Sequence, residues 1–154
     1  MVATACFLLV GCARDVGSAV RVQSTSAVER SAEPNEPSSR SRTDLLREEW
    51  GVRIERATLS AGGYMVDFRF RVLDVAKAAP ILDRRARPYL IDQTTGAKFI
   101  VPIPPKVGQL RSGGAIREGA VYFIYFANPG RYIRSGNRVT VVVGDFEARD
   151  VLVQ

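Results

Sequence analysis

A chain of 154 residues, 46% apolar and 25% charged, has the length and balance of one globular domain rather than two. Its net charge of +6 rests on arginine, since only Lys77, Lys98 and Lys106 are lysines, and no basic stripe interleaved with aromatics accompanies it, so no nucleic-acid partner is expected. There is no histidine and both cysteines, Cys6 and Cys12, lie at the N-terminus, which excludes from the body of the chain a Ser-His-Asp triad, a His- or Cys-ligated metal, a disulfide framework and thiol catalysis.

The chain begins with a short apolar run, Ala5-Cys6-Phe7-Leu8-Leu9-Val10, too brief for a membrane span of about 20 residues. It ends in Leu9-Val10-Gly11-Cys12. These four residues resemble the lipobox of bacterial lipoproteins, in which small residues precede a cysteine that is diacylated and becomes the mature N-terminus. A thiol is needed for the thioether, and small neighbours let the peptidase reach an extended backbone. The resemblance implies that residues 1–11 are a signal segment, that Cys12 is lipidated, and that the membrane is a partner through it. Ala13, rather than an aspartate, follows the cysteine. By resemblance to enterobacterial sorting, that places the protein in the cell envelope, at the outer membrane facing the periplasm. No Lys or Arg precedes the run, although a signal has a positive n-region; the expectation is that Met1 is an internal start or that residues precede it. Two other readings stay open: a buried strand over residues 2–10 with Cys12 inert, and ordinary secretion with cleavage after Ala13 or Ala19.

Residues 12–42 then read as the anchored cysteine and a disordered linker, rich in serine and centred on Glu33-Pro34-Asn35-Glu36-Pro37. No apolar period runs through this stretch, so it buries too little surface to offset its ordering entropy. An edge strand over Ala19-Val20-Arg21-Val22 is the alternative. The domain is expected over 43–154. Thr43-Asp44 offers an N-cap to a helical turn or two ending at Gly51. From Val52 the period changes to two. Strands are expected over Val52–Leu59, Tyr64–Leu73, Tyr89–Asp92, Ala97–Val101, Val121–Phe126, Arg138–Val143 and a last one ending in Val151-Leu152-Val153. Val66, Phe68, Phe70 and Val72 should face a core, opposite Asp67, Arg69 and Arg71. Residues 74–87 form a connection with room for one helical turn. Val121–Phe126, apolar on both faces, is expected at the centre of a sheet.

About seven short strands with turns at regular spacing point to an all-β fold, a single antiparallel β-sandwich. Glu118-Gly119-Ala120-Val121-Tyr122-Phe123-Ile124 resembles the tyrosine-corner segment of immunoglobulin-like domains, where an acid, a small residue, a tyrosine and a core residue alternate into the penultimate strand. The resemblance implies an Ig-like sandwich, with Tyr122 bonded back to the backbone and Ile124 in place of the usual disulfide cysteine. The sole tryptophan, Trp50, precedes the first strand, so an antibody-type domain is excluded.

Candidate acids Asp74, Asp83, Asp92 and Asp145 all sit at turns or strand ends, where acids serve the turn itself. No dense acidic loop for calcium exists, so neither metal nor cofactor is expected. Three segments could bind a partner: the basic knot Arg84-Arg85-Ala86-Arg87, suited to phosphate or carboxylate; Arg131-Tyr132-Ile133-Arg134, which carries the residue types favoured as interface anchors; and the loop Pro102–Gly119 with Lys106. The expectation is a lipid-anchored, non-enzymatic binding or accessory module, recognising a protein or envelope polymer through loops at one end of the sandwich. The rivals are a structural subunit of an envelope or secretion assembly and, third, a hydrolase with an unrecognised site.

Overall fold

A computed structural model describes residues 37–154. Cys12 and residues 13–36 of the expected linker lie outside the described residues. Helix α1 spans Pro37–Trp50, starting ahead of the expected N-cap at Thr43-Asp44. Residues 37–42 are therefore helix and not linker. Proline suits a first helical position, where its missing N–H has no intrahelical partner to lose. Farther along, Arg42 is ion-paired to Asp150, Leu46 is buried, and Trp50 meets Phe146 edge-on with ring centroids 5.6 Å apart. Gly51 ends the helix at φ +58°, its N–H donating to Arg47 O at 3.1 Å. This is the left-handed C-terminal turn that glycine adopts most readily.

Seven strands follow: β1 (Val52–Ser60), β2 (Met65–Val72), β3 (Tyr89–Asp92), β4 (Lys98–Ile100), β5 (Val121–Ala127), β6 (Arg138–Val143) and β7 (Phe146–Leu152). They form two antiparallel sheets, one ordered β1-β2-β5 and the other β4-β3-β6-β7. The fold is an all-β sandwich preceded by a short helix. Its core draws on both sheets: Val66, Phe68, Phe70 and Ile124 from one, Leu90, Val139, Val141 and Phe146 from the other. Gly144-Asp145 joins β6 to β7 in two residues, with Gly144 at φ +61°. Glycine at the first of two turn positions matches the twist of a tight hairpin.

Three expectations are corrected. The connection after β2 holds two helical turns: α2 (Val75–Leu82), capped by the Asp74 carboxylate, which accepts from Lys77 N–H at 3.1 Å. Its Ala78, Ile81 and Leu82 are buried. Strand β5 is not central; it forms an edge of the three-stranded sheet. Residues 110–112 run along that edge, with Ser112 N–H donating to Phe123 O and Tyr125 N–H to Leu110 O, both at 2.9 Å. The middle of the row of backbone groups that an edge normally presents is thereby paired. Tyr122 bonds to the backbone as expected, accepting from Arg117 N–H at 2.8 Å and donating to Ala115 O at 3.2 Å. Yet β5 is third from last, and the penultimate strand is β6.

The antiparallel register sorts the connections into two ends. At one lie the β1–β2, β3–β4 and β5–β6 turns. At the other lie α2, the long β4–β5 loop, the β6–β7 turn and the C-terminus of α1.

Candidate anion-binding cleft

The predicted binding residues divide between these two ends. Arg131, Tyr132 and Arg134 occupy the β5–β6 turn. There Arg131 is engaged: its Nε donates to Gly62 O at 2.9 Å, Nη2 donates to the same carbonyl, and the guanidinium lies 4.8 Å from the Tyr64 ring centroid. Beneath it, fully buried Asn128 donates from Nδ2 to Gly63 O (2.8 Å) and Ile133 O (2.9 Å), and its Oδ1 accepts from Ile133 N–H (3.2 Å). Each polar group on this side chain has a partner, so Asn128 locks two turns together. Tyr132 is 71% exposed and lies over Gly130, where an added Cβ would fall 2.0 Å from its ring. Arg134 is also exposed. Arg131 thus acts mainly as a brace within its own end.

At the opposite end the residues after α2 meet the β4–β5 loop. Arg84, Arg87 and Arg111 line one cavity of about 380 Å³, with Gln109, Ile103 and Val107. Arg84 lies against Gly113, and a Cβ at that glycine would come within 3.2 Å of its Nη2. Arg111 is half-buried; its Nη2 donates to Ile81 O, and its Nη1 has no hydrogen-bond partner. Gln109 Oε1 is likewise buried without one. Burial pushes the Arg111 guanidinium down from its ordinary value; Asp83 opposes this, and Arg84 reinforces it. Among the described residues no carboxylate forms an ion pair with Arg84, Arg87 or Arg111. Three planar cations line the cavity with Asp83 nearby but no carboxylate in ion-pair contact, which is an arrangement suited to bidentate recognition of a carboxylate or phosphate.

The cleft continues into an apolar groove of about 280 Å³ lined by Pro88, Tyr89, Ile100 and Ile103. Arg87, Ile103 and Gln109 belong to both. Ile100, Ile103 and Val107 are 67%, 56% and 69% exposed, so a broad apolar rim adjoins the cations. Of the other predicted residues, Arg85 is exposed and turns its N–H to Asp83 Oδ1 at 2.9 Å, and Lys106 projects from the same loop without lining the cavity. Neither Arg111 nor Gln109 stood out in the sequence, where both belong to a Gly- and Pro-rich stretch without period. The only signal was the length of that loop.

A contrasting cluster lies on the outer face of β2. Asp67 Oδ2 accepts from Arg69 Nε at 2.9 Å, and Glu55 accepts from Arg71 at 2.8 Å and Arg53 at 2.9 Å. The Arg71 and Arg53 hydrogen bonds hold Glu55 below the usual carboxylate range. These arginines are neutralised within the fold, as those of the cleft are not. Among the described residues no group of three potential metal ligands gathers, and no helix is long and apolar enough to cross a membrane. Comparison with family models, with curated proteins and with solved structures finds no match.

Proposed function

We propose that the chain is a lipid-anchored envelope protein, held through Cys12 at the outer membrane facing the periplasm, whose sandwich is a non-enzymatic recognition module for a protein or envelope polymer. The lipobox resemblance of Leu9-Val10-Gly11-Cys12 supports the anchor. The grouping of strands one, two and five against four, three, six and seven supports an Ig-like reading of the sandwich, a scaffold that presents loops at its ends. The observation that carries the binding role is the cleft of Arg84, Arg87 and Arg111, three cations without a carboxylate partner among the described residues, beside an exposed apolar rim. Its ligand carries an anionic group.

A photoreactive residue placed at position 107 in the native host tests this. Illumination is expected to yield one discrete high-mass adduct, which disappears when Arg84→Ala and Arg87→Ala are added. The same probe at position 132 is expected to give none. Equal adducts from both ends, or none from position 107, would remove the cleft from consideration.

A further inference from the structure

We propose that the ligand of this cleft is an extended acidic peptide that adds as a strand to the free edge of β4, seating an apolar side chain in the Tyr89–Ile100–Ile103 groove and a carboxylate among Arg84, Arg87 and Arg111. The inference rests on the reading above and names the ligand class. Its independent support is the backbone of β4. Asp92 N–H donates to Ala97 O at 3.0 Å, and on the other side of β3 Gln93 N–H donates to Arg138 O at 3.1 Å. Hydrogen-bonded pairs recur at every second residue of an antiparallel ladder. With Leu90 opposite Phe99, it is therefore Phe99 that faces β3, while the N–H and C=O groups of Lys98 and Ile100 point away from it. No other described strand pairs with that edge. Such an edge is a template for strand addition.

The side chains agree with this direction. Ile100 is 67% exposed and paired in register with Tyr89, and both line the apolar groove. A residue added opposite Ile100 points to the same face and enters that groove. Strand β4 runs towards the loop that carries Gln109 and Arg111, so an antiparallel partner enters from the cleft. Its acidic residue then precedes the apolar one by two positions, roughly 7 Å along a strand. An acyl chain could fill the groove but would make no use of the outward N–H and C=O groups of Lys98 and Ile100, which favours a peptide over a lipid.

The test uses the full chain with Cys12→Ser, isotope-labelled, and the blocked hexapeptide acetyl-Ser-Glu-Thr-Ile-Thr-Thr-amide. The expected result is amide shifts and slowed hydrogen exchange at Lys98 and Ile100. Replacing the peptide's Glu by Gln should weaken binding by about tenfold or more, because a charge-assisted bond to arginine is lost. N-methylation of its isoleucine should cause a loss of about tenfold by removing a ladder hydrogen bond. If the N-methyl peptide binds as well as the parent while the Gln peptide does not, strand addition is wrong and the anion cleft stands. If the Gln peptide binds equally, the cleft reading itself falls. Absence of shifts with every peptide, or shifts produced only by phosphatidylglycerol vesicles, overturns the inference.

Discussion

Asp92 is almost fully buried at the end of β3 yet remains suited to its charged form. Burial pushes its pKa up, but hydrogen bonds from the Thr95 hydroxyl (2.7 Å), the Thr94 backbone, Asn137 and the Thr95 backbone outweigh that and leave it below the ordinary value. A carboxylate depressed in the folded state adds stability above its unfolded pKa, and that stability is lost as pH falls through the folded value. Asp92→Asn is therefore expected to lower stability at neutral pH and to flatten the decline below about pH 4. Urea midpoints at neutral and acid pH measure both, and parallel declines for the two proteins would contradict the assignment. The sequence marked Asp92 as a turn acid, which it is. Asn128 reads in the sequence as the first residue of an Asn-Pro-Gly turn, and its wider role does not show there because the carbonyl of Gly63, 65 positions away, is invisible to local pattern. Arg111 escaped notice for the same reason: its partner is the carbonyl of Ile81.

Among the elements, the strands of period two were legible. Val66, Phe68, Phe70 and Val72 are all buried where alternation puts them, and Tyr89–Asp92 was bounded correctly. Asp67 broke the alternation, being buried on the outer face beside Arg69. The start of α1 was not legible, since the serines and arginines before Leu45 have no apolar period. An ion pair from Arg42 to Asp150, at the far end of the sequence, helps fix that part of the helix. The other end of α1 was signalled by Gly51, and its role is larger than a cap. Its carbonyl accepts from Leu73 N–H (2.7 Å) and Asp74 N–H (3.0 Å), and a Cβ would fall 2.6 Å from that of Asp74. Gly51→Ala is expected to cost about 2–3 kcal/mol, from a left-handed alanine and a backbone displaced from α2. A urea midpoint within error of the parent would show that the junction yields freely.

For the whole molecule, strand number and sandwich class followed from composition and turn spacing, while the grouping of loops by end did not. Which connections share an end depends on strand pairing. That is why Arg131 and Arg84, equally basic in sequence, occupy opposite ends with different roles. The anchor proposed at Cys12 also belongs to this scale. Palmitate labelling in the native host is expected to mark the parent protein, and Cys12→Ala to abolish the label and release the chain from membranes. Label retained on the alanine variant would place the acyl group elsewhere or refute it.

Helix α1 runs from Pro37, on the side of Asp150, to Trp50 beside Phe146, a rise of about 21 Å. The chain therefore enters the domain at the end remote from Arg84, Arg87 and Arg111. Tension on any upstream attachment would be taken up as shear along the contacts of α1 with β1 and β7. The proposed recognition cleft lies outside that line of force, at the opposite end of the sandwich.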